Sequence, residues 1–104
     1  MRLEIDGEPA LDDPTPEDVR RTLLRLTPSR PTWAVLDLGV NYYIQTKILE
    51  DEQFVVEYRD GGPDRHYKAD GSQLQDPVVD AFLDYHANGN HWRTAFEWLR
   101  VEIS

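Results

Sequence analysis

Residues 53–69, QFVVEYRDGGPDRHYKA, decide the fold. Two strand-like runs, 54–59 and 64–69, flank the turn cluster Asp60-Gly61-Gly62-Pro63, so the stretch reads as a β-hairpin. The pattern predicts Tyr58 opposite Arg65, Glu57 opposite His66 and Val56 opposite Tyr67. Phe54, Val56, Tyr58, Tyr67 and Ala69 then share one face. Glu57, Arg59, Asp64, His66 and Lys68 share the other, with opposite charges opposed across the strands. A slip of one residue would mix the two sets, so the hydrophobic pattern fixes which face is which.

Upstream of the hairpin, the acidic turn Glu50-Asp51-Glu52 follows a strand over 41–49, in which Tyr42, Ile44 and Ile48 oppose Tyr43, Gln45 and Lys47. Before it, residues 32–38 are strand-like and apolar on both sides, Ala34, Leu36 and Leu38 on one and Trp33 and Val35 on the other. Short turns join these runs to the hairpin as a meander of four strands. Thr15-Pro16-Glu17-Asp18 is a helix start, with Thr as N-cap and Pro and acids in the first turn; the helix is expected to run to about Leu26. Leu3 and Ile5 mark a short first strand, and residues 8–14 read as a connecting loop.

Downstream, Asp76-Pro77 reads as a second helix start, and that helix is expected to end at Gly89. Val79, Phe82, Leu83 and His86 form its expected inner face, and Asp76, Asp80 and Asp84 an acidic stripe at i, i+4 and i+8. Residues 90–95 are a turn. Leu99, Val101 and Ile103 then alternate with Trp98, Arg100 and Glu102, as in a closing strand. The order β-α-β-β-β-β-α-β predicts a single α+β domain over residues 1–104. Its antiparallel sheet carries both helices on one face, and the terminal strands extend one edge.

The totals bound the function. A chain of 104 residues that is 39% hydrophobic, with three Trp, five Tyr and three Phe, can bury one modest core. A net charge of −9 argues against nucleic acid or an anionic membrane as partner, because both need a cationic footprint, and favours a basic protein partner. There is no cysteine, so disulfides, thiolate metal sites and a Cys nucleophile are excluded. The run MRLEIDGEPALDD holds no apolar core of signal-peptide length, and no run approaches the roughly 20 apolar residues of a membrane span; a cytoplasmic protein is expected.

Little in the sequence points to chemistry. The three histidines, His66, His86 and His91, show no zinc-ligand spacing, and no phosphate-binding or nucleophile motif occurs. No metal, cofactor or catalytic residue is expected, although Glu57, Arg65 and His66 on the hairpin are one conceivable acid–base group. Two surface features remain. One is the stripe Asp76, Asp80 and Asp84. The other is a strip of Trp33, Val35, Tyr43 and Val55 on the sheet face away from the helices, where Trp and Tyr are typical docking anchors.

Val78-Val79, Phe82, Tyr85 and Gly89, followed by Phe96-Glu97-Trp98, resemble the tail of small α+β immunity proteins of bacterial polymorphic-toxin systems, the family encoded beside deaminase toxins. Phe54-Val55-Val56-Glu57-Tyr58 with Arg65-His66-Tyr67 is similar to that family's hairpin, and the likeness spans about residues 33–103. It implies a non-catalytic cytoplasmic inhibitor that binds a cognate toxin. The acidic stripe and the aromatic strip give Asp76, Asp80, Asp84, Trp33 and Tyr43 as the expected partner-binding residues. A self-associating assembly domain is the alternative, so the chain is expected to be a monomer or a homodimer.

Overall fold

The computed structural model describes residues 1–102. Alternating apolar side chains place seven strands in one antiparallel sheet. They are β1 (Arg2–Ile5), β2 (Glu8–Asp12), β3 (Trp33–Gly39), β4 (Tyr42–Ile48), β5 (Phe54–Asp60), β6 (His66–Ala69) and β7 (Trp98–Arg100), in the spatial order β2-β1-β3-β4-β5-β6-β7. Helices α1 (Pro16–Arg25) and α2 (Gln75–His86) pack together over one face of it. The α+β class, the antiparallel sheet and the one-sided placement of the helices are as expected. Leu3, Ala34, Leu36, Ile44, Phe54 and Val56 point from the strands into this layer and meet Val19, Leu23, Val78 and Phe82 from the helices. Fully burying each large apolar side chain contributes about 1.5–3 kcal/mol.

The order differs from expectation in one element. Residues 8–14, expected as a loop, contain β2, which folds back on β1 with Leu11 opposite Leu3 and Asp12 opposite Arg2. Pro9 and the acids masked it, because they are rare inside a central strand but tolerated at a sheet edge. Arg25 of α1 holds Glu8 through two bonds of 2.9 and 3.0 Å. The terminal strands also do not share an edge: β2 closes one side of the sheet and β7 the other. The expected closing strand is shorter than its alternation implied, and Ile103 lies outside the described residues.

The hairpin keeps its faces but changes register by two. The observed partners are Arg59 with His66, Tyr58 with Tyr67 and Glu57 with Lys68. Pro63–Arg65 forms a 3₁₀ turn, closed by Arg65 N–H donating to the Gly62 carbonyl at 3.0 Å, and so residues 61–65 rather than 60–63 make the connection. A shift of two preserves the side-chain alternation, which is why Phe54, Val56 and Tyr58 still face the core.

The Thr15 capping box is as expected: the Asp18 N–H donates to Thr15 Oγ1 at 3.1 Å and the Thr15 N–H to Asp18 Oδ2 at 2.9 Å. The second helix begins one residue before Asp76, with Leu74 at the cap, so Asp76 is not its N-cap. Pro77 is tolerated there because the first turn's N–H groups have no intrahelical partners. At the other end Asn88, not Gly89, takes the left-handed conformation (φ 62°). The Gly89 N–H donates to the Asp84 carbonyl and the Asn88 N–H to the Tyr85 carbonyl, the paired bonds of a Schellman cap. Gly89 is required for space instead, since a Cβ there would collide with the Asp84 carboxylate.

Candidate functional site

The side chains that alternate with the core set project from the opposite face of the sheet. Its rows follow from the register. Arg2, Asp37, Tyr43, Arg59 and His66 lie side by side across β1, β3, β4, β5 and β6. Glu4, Val35, Gln45, Glu57 and Lys68 form the next row, and Trp33, Lys47 and Val55 the third. Neither helix reaches this side. The hollows in it are lined only by strand residues and by the β3–β4 turn.

Two hollows cross this face. One, of about 220 Å³, is bordered by Trp33, Val35, Gln45, Lys47, Val55 and Glu57. The other, broader at about 540 Å³, runs from Val35 and Gln45 past Tyr43 and Arg59 to Val40 in the β3–β4 turn. They share Val35 and Gln45, so together they make one shallow trough over β3 and β4.

A hydrogen-bonded array stiffens the floor beside the trough. His66 is only 5% exposed and is held from both sides. Arg59 Nε donates to His66 Nδ1 at 3.2 Å, while His66 Nε2 lies 2.7 Å from Glu57 Oε1. A guanidinium has only N–H groups to offer, so Nδ1 must accept. The ring proton therefore sits on Nε2 and is donated to the Glu57 carboxylate. The Arg59 guanidinium carbon also lies 5.6 Å from the centre of the Tyr43 ring, and Tyr43 Oη is 3.5 Å from His66 Nδ1. Both imidazole nitrogens are thus occupied within the sheet. Arg65, grouped with this pair on sequence grounds, is elsewhere: it sits in the 3₁₀ turn and binds Asp60 at 3.0 Å. The regrouping follows from the two-residue register shift.

The five expected partner-binding residues fall into separate places. Trp33 (37% exposed) and Tyr43 (half-buried) lie on the open face. Asp76 and Asp80 are exposed on α2, on the other side of the sheet. Asp84 is not part of a solvated stripe. Its side chain is 23% exposed, and its Oδ2 accepts the Trp92 N–H at 2.9 Å, tying α2 to the 3₁₀ turn His91–Thr94. The aromatic strip and the acidic helix therefore do not form one surface.

Charge is segregated in the same way. On the open face Arg2, Lys47, Arg59 and Lys68 stand against Glu4, Asp37 and Glu57, close to balance. The acidic excess behind the net charge of −9 lies on the helices, turns and edges.

One exposed apolar group went unread in the sequence. Around the β3–β4 turn Leu38 (55%), Val40 (88%) and Tyr42 (48%) are exposed. Val40 borders the broader hollow of the open face, whereas Leu38 and Tyr42 line a separate hollow with Tyr85, Asn88 and Trp92 on the helix side. Leu38 read as a core residue because it continues the alternation of Ala34 and Leu36. A bulge between Asp37 and Gly39 breaks that alternation. The available signal was the Gly39-Val40-Asn41 run, in which Asn41 adopts φ 69° at the turn.

Comparison of the chain with family models, with curated proteins and with solved structures finds no match. Among the described residues no helix is long and apolar enough to cross a membrane, and no group of three His, Cys, Asp or Glu side chains is placed to hold a metal ion.

Proposed function

We propose that this chain is a stoichiometric protein-binding domain that engages its partner through the open sheet face, in the manner of a toxin-neutralising immunity protein. The observation that carries the binding reading is the uncovered trough, with Trp33, Val35, Tyr43 and Val55 exposed or half-buried along it and Val40 at its end. Aromatic anchors on a rigid sheet are what a protein–protein interface uses, and a preformed array such as Glu57–His66–Arg59 lowers the ordering cost of docking. The immunity reading adds the resemblance of residues 33–103. It implies a cytoplasmic, non-catalytic role against a bacterial toxin. The acidic helix side then acts at a distance, drawing in a basic partner and raising its association rate.

The test is co-expression with the protein encoded by the neighbouring reading frame. Restored growth that is lost in Trp33→Glu and kept in an Asp76→Lys/Asp80→Lys variant supports the reading. Rescue that survives Trp33→Glu and fails on reversing the helix charges moves the interface to α2 and overturns the open-face assignment.

The balance of charge on the open face favours one second reading, a homodimer stacked sheet to sheet, because the acidic excess would not oppose it there. Sedimentation across a concentration series separates the two. A dimer dispersed by Trp33→Glu supports stacking, and a monomer at all concentrations removes it.

A further inference from the structure

The smaller hollow has a chemistry of its own. It is about the size of one long side chain and too small for the usual cofactor or drug-like ligand. Trp33 and Val55 give it apolar and aromatic walls, and Glu57 supplies a carboxylate. That carboxylate is held in place by His66, whose ring is fixed in turn by Arg59. Because His66 donates from a neutral ring, it orients Glu57 without cancelling its charge. Lys47 also borders the hollow and Lys68 faces Glu57 across the β5–β6 ladder; among the described residues neither forms an ion pair with it. The charge of Lys47 is also felt at Asp6, whose carboxyl is lowered first by the Thr32 N–H and further by Arg30 and Lys47.

We propose that this hollow is a socket for a single arginine side chain projected by the protein partner, with its guanidinium paired to Glu57 and its plane laid against Trp33. A planar cation fits a carboxylate beside an aromatic wall better than a compact, strongly hydrated ammonium does. The inference rests on the open face being the protein-binding surface, and it specifies what that surface reads. It also gives the half-buried Glu57–His66–Arg59 array a purpose on a face that, among the described residues, no helix covers. The array presents one carboxylate in one orientation, so the partner's arginine meets a preorganised acceptor.

The experiment uses the full chain and Nα-acetyl-L-arginine methylamide as probe, followed by two-dimensional NMR. The expected result is a saturable shift of the Trp33 indole N–H and the Val55 amide, with an affinity on the order of millimolar for so small a fragment. The lysine analogue should bind several-fold more weakly, and the norleucine analogue should produce no saturable shift. Glu57→Gln retains an acceptor for His66 and should weaken arginine binding at least tenfold, as should Trp33→Ala at an exposed position. An unchanged amide spectrum away from the hollow shows that either variant is folded. Equal binding of the arginine and norleucine probes, or arginine shifts that survive Glu57→Gln, would overturn the socket. So would binding seen only with free zwitterionic arginine and abolished by Lys47→Met. If the probe fails while Trp33→Glu still abolishes the partner complex, the socket falls and the open-face reading stands; if neither responds, both fall.

Discussion

Asp84 distinguishes a docking stripe from a structural clasp. Its carboxylate accepts the Trp92 N–H at 2.9 Å, and the side chain is 23% exposed. A hydrogen bond to a charged group contributes about 1.5–3 kcal/mol, and part of that is recovered when water reaches the abandoned N–H. Asp84→Ala is therefore expected to cost about 2 kcal/mol. For a domain of this size that lowers Tm by about 8 °C. Asp80, one turn earlier and exposed, should change stability by no more than about 0.5 kcal/mol on the same replacement. Urea unfolding followed by tryptophan fluorescence is the assay, since Trp92 lies at the perturbed contact, with thermal melts by circular dichroism alongside. The m-value should be unchanged. The Gly89 contact supplies an internal check: Gly89→Ala should be strongly destabilising in the native chain, where its Cβ meets the carboxylate, and much milder in Asp84→Ala. Superimposable unfolding curves for Asp84→Ala and Asp80→Ala would refute the clasp and return Asp84 to the solvated stripe.

Three carboxyls should make the fold acid-sensitive: Asp18 is held low chiefly by the Thr15 N–H, Asp6 by the Thr32 N–H and Glu8 by Arg25. Groups depressed in the folded state stabilise it fully above about pH 5, and that contribution is lost as pH falls through their lowered values. The Tm difference between the native chain and Asp18→Asn should therefore shrink on acidification, and a gap constant from pH 6 to 2 would contradict this. At the alkaline end, burial pushes the Tyr85 hydroxyl up to about 12, so its contribution is present below about pH 10 and lost between pH 10 and about 12. Tyr85→Phe should flatten part of that alkaline decline in a Tm-versus-pH series. Phe82, fully buried between the sheet and α1, should cost about 3–5 kcal/mol as Phe82→Ala in urea unfolding. A double-mutant cycle of Glu57→Ala and His66→Ala should show coupling of about 1–2 kcal/mol, and additivity would mean the bond is absent in solution.

Features set by alternation and capping were legible in the sequence. Phe54, Val56 and Tyr58 announced the core face of β5, and Thr15 with Asp18 announced the start of α1. Features that depend on where a turn spends its residues were not. Gly61-Gly62 allowed a shorter connection, and nothing local to Pro63-Asp64-Arg65 showed that it would close as 3₁₀ and move the register by two. The β2 edge was hidden because Pro9 and Asp12 carry turn-like composition, and only the neighbouring β1 gives this segment a ladder. The aromatic residues near the C-terminus were visible, but their purpose was not. Trp98 packs edge-on at 4.6 Å from Tyr58, which itself stacks on Tyr67 at 4.8 Å, so the cluster fastens the short β7 to the sheet.

For the site, charge counting misled and strand parity did not. A net charge of −9 drew attention to carboxylates at helical spacing, yet Asp84 turned inward to hold Trp92. Spacing along a helix says which side chains share a stripe, not which of them a neighbouring turn will recruit. Trp33 and Tyr43 were placed on the open face by alternation alone, and the ladder keeps them there. What the sequence left out was the company they keep. Glu57, Arg59 and His66 read as matched surface charges, because cross-strand opposition is usually solvated. In the fold His66 is buried under its neighbours, and Arg59 fixes its tautomer, so the Glu57 carboxylate is directed rather than satisfied. In the reading proposed above, Glu57 and Trp33, which border one hollow on a face with little net charge, would act as a recognition element whose selectivity comes from geometry, with the long-range attraction of a basic partner left to the acidic far side.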